Sequence, residues 1–373
     1  MKPWVHGLPS QGFTLGWVPP ALQAAKFRWG TRSRGSSLTG STSRVESIFV
    51  THAPSFSIDR EPSLSSDAAI PSAVHRPVLL DEVLDALEPR LGGVIIDGTT
   101  GAGGHTKALA ERLKPGGRII GLDRDPEMIA LAEVATLSLP VTFIHSTYSD
   151  IDRVLHTLGL DGVDGILLDL GLSSDQLRWA HRGFSFQEDG PLDMRYDPRT
   201  IESAADMINN LSAEELADIF FDFGEERHSR RVARRIVESR RVEPILTTAR
   251  LADIVRKSIP GKWGPIDPAT RTFQALRIAV NGELAHLEVA LANLSTWLNP
   301  GGRAAIISFH SLEDRRVKHA FRDDPHLEVL TRKPITATAE ELQTNPRARS
   351  AKLRVAERCT NSTALSTAGQ TRK

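Results

Sequence analysis

The segment Asp97-Gly98-Thr99-Thr100-Gly101-Ala102-Gly103-Gly104-His105 follows a β-branched run, Gly93 to Ile96, read as a strand. It opens a helical stretch read as Thr106 to Leu113. That context lifts a glycine pattern above chance. Glycines let the backbone approach a ligand closely, and a helix N-terminus offers N–H donors, so a nucleotide is expected there. Asp123 lies at the end of the next predicted strand, roughly twenty residues further on, where an acid takes both ribose hydroxyls. NAD and S-adenosylmethionine both satisfy this much. A dinucleotide would set a pyrophosphate on a loop that begins with Asp97, beside a predicted strand that ends in Asp169. S-adenosylmethionine has no phosphate and carries an ammonium and a sulfonium that acids stabilise, so it is the favoured ligand. No His and carboxylate cluster has metal-ligand spacing, so no metal is expected.

The elements that must position these residues follow βαβ spacing. After the loop helix, Lys114-Pro115-Gly116-Gly117 reads as a helix stop and turn, and Arg118 to Leu122 as a strand. A helix starts at Pro126, where a missing N–H costs nothing. Val141 to His145 and Gly165 to Leu170 complete four strands. The same αβ corner recurs at Leu291 to Leu298, Asn299-Pro300-Gly301-Gly302 and a strand Arg303 to Phe309. More than a hundred residues separate the fourth and fifth strands, too many for a crossover, which predicts an inserted domain. Its patterns, Ser212 to Phe221 with Glu215 at the capping-box position, Ser229 to Ser239 and Thr248 to Ser258, predict helices.

Composition sets the outer limits. The chain has 373 residues, 46 basic against 46 acidic, 40% hydrophobic residues and one cysteine, Cys359. An internal disulfide and a Cys-rich zinc site are excluded. Zero formal charge argues against binding nucleic acid by general attraction. No apolar run is long enough for a membrane span. Residues 1–73 stand apart: Lys2, Lys26, Arg28, Arg32, Arg34 and Arg44 meet no acid before Glu46. That composition fits an organellar transit peptide, a disordered tail or an over-long assigned start. The expected location is cytoplasmic, or organellar if the extension is a transit peptide. Residues 74–358 hold 37 basic and 42 acidic groups, a formal −5.

From here the motifs become specific. HRPVLLDE from His75, DGTTGAGGHT from Asp97, LDRDP from Leu122 and GILLDLGLSS from Gly165 stand in order. RGFSF from Arg182, DGPLDMR from Asp189, FGEER from Phe223, PATRTFQALR from Pro268, IISFHSLEDR from Ile306 and NPRARS from Asn345 continue the series. Together they resemble the bacterial 16S ribosomal RNA small-subunit methyltransferase H family over roughly residues 74–358; residues 1–73 lie outside its pattern. The resemblance implies a Rossmann-like, seven-stranded S-adenosylmethionine-dependent methyltransferase sheet with an inserted, mostly helical substrate domain. It implies methylation of N4 of a decoding-centre cytosine, with 16S ribosomal RNA in an assembled or nearly assembled small subunit as partner. Carried over by motif, the cofactor site comprises Gly103, Gly104, His105, Asp123, Tyr148, Asp169 and Gln176. Thr100 and Tyr148 depart from the residues expected in many members. The implied division is 74–180 and 281–358 for the methyltransferase domain, 181–280 for the insertion and 359–373 for a flexible tail.

The exocyclic amine of cytosine is a poor nucleophile and needs an acceptor for its proton. Many amino-methyltransferases end the fourth strand with a carboxylate or amide, two prolines and an aromatic; here the string is Asp169-Leu170-Gly171-Leu172, so the catalytic residue stays open. Phosphate contacts are expected from Arg227, Arg230, Arg231, Arg234, Arg235, Arg240 and Arg241, with Arg182, Arg195, Arg271 and Arg277 as further candidates. Phe184, Phe186 and Phe273 read either as base-stacking or as core residues. The rivals are a nicotinamide-dependent oxidoreductase and a non-catalytic RNA-binding scaffold.

Overall fold

Short β-branched runs separated by helices fold as a sheet whose strands are buried on both faces. A computed structural model describes residues 77–360 apart from Lys114 and Lys262. The amino-terminal segment, the first two residues of the His75 motif and most of the carboxyl-terminal tail lie outside the described residues. The chain enters through α1 (Leu80–Leu87) and then runs β1 (Val94–Asp97), α2 (Gly104–Arg112), β2 (Arg118–Asp123) and α3 (Pro126–Ala135). It continues through β3 (Val141–His145), α4 (Ile151–Leu158), β4 (Val163–Asp169) and the short α5 (Ser174–Arg178). The sheet has seven strands in the order β3-β2-β1-β4-β5-β7-β6, with β5 at Leu298–Ser308, β6 at Leu327–Val329 and β7 at Lys352–Arg358. Strands β1 to β5 pair in parallel, while β7 is antiparallel to both β5 and β6. β7 is thus the one reversed strand of the sheet, and β6 runs in the same direction as β1 to β5.

Alternation along each strand divides the core. Ile95, Ile119 and Leu167 face α1 and α2, packing with Val83, Leu84 and Leu109. Ile96, Ile120, Leu168 and Ile306 face the opposite layer, with Ile151 and Leu155 of α4 and Leu287, Leu291 and Leu294 of α11 (Glu283–Trp297). Chain order reverses where β1 has β2 on one side and β4 on the other, and crevice ligands bind beyond the strand ends at such a switch point.

Two expected boundaries move. The loop helix begins at Gly104, which puts Gly104 and His105 in its first turn. Asn299 to Gly302 is an irregularity within β5 rather than a separate turn: Leu298 pairs Val163, then the register shifts before Arg303 pairs Gly165.

Between β4 and β5 run α6 (Ala204–Asn210), α7 (Ala213–Asp222), α8 (Ser229–Arg240), α9 (Thr248–Ser258) and α10 (Ala269–Asn281). Ser203 with Asp206 and Ser212 with Glu215 form capping boxes that start α6 and α7. These helices share their own apolar cluster, including Phe220, Val232, Ile236, Leu251, Val255 and Leu276. Phe184 and Phe273 are buried in it, and Phe184 stacks on Tyr196 while Phe186 meets Phe273 edge-on. Of the two readings of these phenylalanines, packing is the one observed. No helix among the described residues is long and apolar enough to cross a membrane.

Candidate functional site

A cleft of about 380 Å³ opens beyond the carboxyl ends of β1, β2, β4 and β5. Gly103, Gly104, His105, Asp123, Tyr148, Asp169 and Gln176 all line it. The backbone comes close for steric reasons. Gly103 has φ +87°, and a Cβ there would stand 2.9 Å from the Ala132 Cα of α3. A Cβ on Gly98 would lie 2.6 Å from Leu168 Cδ2 and 2.9 Å from Tyr148 Cβ.

Asp97 turns inward. Its Oδ2 accepts the Thr106 hydroxyl at 2.6 Å and its Oδ1 the Thr99 N–H at 3.2 Å. It is fully buried, and burial raises its pKa to about 6. Asp97 therefore staples the loop to α2 and is no part of the cleft lining, which corrects its use as a ligand-facing charge. Asp123 does reach the cleft. Its two oxygens accept the N–H groups of Gly101 at 2.8 Å and Asp125 at 2.9 Å, and burial raises its pKa to about 6 despite those bonds.

Gln176 is committed to the scaffold. Its Oε1 accepts the Ser173 N–H at 3.0 Å in a capping box, and its Nε2 donates to Asp125 at 2.8 Å. It borders the cleft while fixing the loop after β4 to the start of α3. The buried Tyr148 ring meets His286 edge-on, and its O–H donates to the Glu283 carbonyl at 3.4 Å. Burial pushes its phenol well above the usual range.

Asp169 is the electrostatic focus. One oxygen lies 3.5 Å from His105 Nδ1; the other, Oδ1, is buried with no hydrogen-bond partner in the described structure. The other ring nitrogen of His105 lies 3.0 Å from the Val78 carbonyl, which requires a hydrogen on Nε2 and directs Nδ1 at Asp169. Burial first, then Asp97 and Glu313, raise the Asp169 pKa to about 8, with Arg347 opposing. An ammonium or sulfonium placed here would reverse that shift, because an opposite charge favours the ionised form.

The far wall consists of residues that spacing did not single out as site residues: Tyr196, Glu283, Leu284, Phe309, Glu313 and Arg347. Glu283 is held by Arg277 through two contacts of 2.8 Å. Glu283, His310 and Glu313 bring ligand-type atoms within 4.8 Å of one another; His310 and Glu313 share one helix start, and Glu283 joins them from the start of α11. Arg277 already occupies Glu283 and a helix cap occupies Glu313, so the donor set does not favour a metal.

The arginines separate into two groups. Arg182 contacts Asp125 and Glu127 and donates to the carbonyls of Arg195 and Tyr196. Arg195 pairs with Asp193, Arg277 with Glu283, and Arg240 donates to the Ile208 carbonyl. These four are engaged within the protein, contrary to their expected role as phosphate contacts. Arg227, Arg230, Arg231, Arg234, Arg235, Arg241 and Arg271 are exposed. Arg227, Arg230, Arg231 and Arg234 line a second groove with Asp218 and Phe221 of α7.

Comparison with known proteins adds to this geometry. The model of the MraW methylase family matches residues 72–359. A protein named Ribosomal RNA small subunit methyltransferase H from Nitratidesulfovibrio vulgaris is 47% identical over 333 residues, covering 83% of this chain and 92% of the relative. One of the same name from a Cyanothece species is 50% identical over 290 residues, covering 77% and 96%. A solved structure described as a putative rRNA-methylase from Clostridium thermocellum aligns with 14% identity and a TM-score of 0.38, covering 76% of this chain and all of that one. On the family match and these identities, the chain belongs to the MraW methylase family.

Proposed function

We propose that the protein transfers a methyl group from S-adenosylmethionine to ribosomal RNA, at the N4 amine of a decoding-centre cytosine in the 16S RNA of the small subunit. The observation that carries the cofactor reading is the charge of the cleft. Its lining holds Asp123, Asp169, Asp175, Glu283 and Glu313 against Lys107, Arg124 and Arg347. That balance suits a cationic ligand and opposes a pyrophosphate. The unpaired Asp169 oxygen and the close approach at Gly98 and Gly103 also fit a ligand seated on the loop. Gly103, Gly104 and His105 would lie along it, Asp123 would take the ribose hydroxyls, Tyr148 the adenine face, and Asp169 the amino-acid end, with Gln176 holding the loop. The cofactor supplies an electrophilic methyl on sulfur. The RNA reading is supported by the names of the relatives and by the exposed arginines on α8.

S-adenosylmethionine at a hundred times its Kd should stabilise the protein by about 2.7 kcal/mol, and NAD should not. In the ligand-free cleft Asp169, at about 8, is protonated near neutrality and Asp123, at about 6, becomes protonated only below that, and a cation binds their ionised forms more tightly. S-adenosylmethionine affinity should therefore rise with pH between about 6 and 7.5, with protons released on binding. Calorimetry in buffers of different ionisation enthalpy measures this release; stabilisation by NAD instead would favour the oxidoreductase. Methyl incorporation into small subunits lacking the mark, followed by mass spectrometry of the nucleoside, tests the target atom. An RNA-binding scaffold would bind cofactor and leave the subunit unmarked.

Substituting Arg227, Arg231 and Arg234 by Gln should weaken RNA binding and reduce the slope of log K against log salt by about 2, close to 0.7–0.9 per lost phosphate contact. Filter binding at several salt concentrations measures it. An unchanged slope would place the RNA elsewhere.

A further inference from the structure

We propose that the segment at the end of β5, Phe309 to Glu313, forms the acceptor side of the cleft. The Phe309 ring is the stacking face for the target base, and the Glu313 carboxylate takes the proton that the base's amine gives up. This rests on the methyl-transfer reading above.

The loop after β4 brings no aromatic ring, since it reads Asp169-Leu170-Gly171-Leu172. The neighbouring strand supplies one. Gly171 has φ +99°, and a Cβ there would stand 3.6 Å from Phe309 Cδ2, so the ring lies directly against that loop. Phe309 is only partly buried and shares the cleft lining with Asp169 and Glu313. Its place beside the fourth-strand carboxylate is where a base must lie to present an amine to a methyl group held over the loop.

Glu313 is built for one protonation state. It belongs to the first turn of α12 (Ser311–Asp323), and its Oε2 accepts the N–H groups of Phe309 at 2.9 Å and His310 at 3.4 Å. Its Oε1 lies 3.1 Å from His310 Nε2. His310 Nδ1 accepts the Glu313 N–H at 3.4 Å, which leaves the ring hydrogen on Nε2, a buried atom close to the carboxylate that makes no hydrogen bond among the described residues. Burial opposes ionisation, yet His310, Arg277 and the Phe309 N–H hold the Glu313 carboxyl below its usual range. Asp169, across the cleft, is displaced the other way. Two carboxyl groups whose surroundings drive them apart have separate roles: Asp169 answers to the ligand's cation, and Glu313 stays anionic and able to accept.

The step balances. The amine lone pair forms the N–C bond, the C–S pair stays on sulfur and leaves a neutral thioether, and one amine proton passes to Glu313 and then to water.

The test uses the full chain, S-adenosylmethionine and small subunits lacking the mark. Glu313→Gln keeps an amide oxygen for the two N–H groups and so preserves the helix cap. Single-turnover rate at saturating cofactor and subunit should fall about 100-fold, with subunit Kd unchanged and cofactor Kd and Tm moved only slightly by the loss of one cleft charge. Phe309→Leu should weaken subunit binding about tenfold and leave cofactor Kd unchanged. Wild-type turnover in Glu313→Gln overturns the acceptor role. A parallel loss of Tm and cofactor binding also overturns it, by assigning Glu313 to the helix cap alone. A wild-type protein that leaves the cytosine unmarked removes the underlying reading, and this failure appears before any substitution is made.

Discussion

Gly103→Val should weaken S-adenosylmethionine binding by about 30-fold or more. Valine must adopt φ +87° at this position, a conformation that costs an ordinary L-residue about 1–2 kcal/mol and a β-branched one more. Its Cβ would also lie 2.9 Å from the Ala132 Cα, backbone rather than a side chain able to swing aside. Overpacking of that kind costs about 1–3 kcal/mol, and the loop relieves it most cheaply by moving. Movement displaces the start of α2 and the Gly101 N–H that orients Asp123. Two to five kcal/mol of misplacement corresponds to about 30-fold or more in Kd. Gly159→Ala is the control: that glycine has φ +64°, nothing within 4 Å of its would-be Cβ, and lies outside the cleft lining. It should lose about 1 kcal/mol of stability and no cofactor affinity. Calorimetry on both variants decides; Gly103→Val with wild-type Kd would remove the loop from the site.

The near wall of the cleft was legible because its residues are local to signals that sequence carries. Gly103, Gly104 and His105 lie in a loop bracketed by a strand and a helix, and Asp123, Tyr148 and Asp169 each lie at or just beyond a strand end. The far wall was not, because Tyr196, Glu283, Phe309, Glu313 and Arg347 come from four separate stretches of chain, between β4 and β5, at the end of β5 and before β7, that meet only in the folded protein. Asp97 shows how residue type and role diverge. It has the loop position of a ligand-facing acid, but the hydroxyl of Thr106, nine residues on in the first turn of α2, captures it. The arginines show the same limit. Arg195 and Arg277 carry a local warning, with Asp193 two positions before and Glu283 six after, whereas the acids that hold Arg182 lie more than fifty positions away. The zero overall charge likewise concealed acids gathered at the cleft and exposed arginines gathered on α8.

Arg182 ties the inserted segment to the cofactor side, and Arg182→Leu should be among the most destabilising single changes available. Its guanidinium lies 2.8 Å from Asp125, which is fully buried, and 3.0 Å from Glu127. Removing one member of a buried pair costs about 3–5 kcal/mol because the remaining charge is uncompensated. In a domain of this size that lowers Tm by roughly 6–15 °C. The loss should extend to function: Asp125 caps α3, accepts Gln176 and donates its N–H to Asp123, so Asp123 of the cleft loses its brace. Cofactor Kd should rise with the fall in Tm. Adding Asp125→Asn to Arg182→Leu separates the causes. If the buried charge dominates, the double variant should regain part of the lost Tm, since neighbouring sites couple by about 0.5–3 kcal/mol. If the double variant is no more stable than the single, the cost lies instead in the carbonyls of Arg195 and Tyr196 that the guanidinium leaves behind.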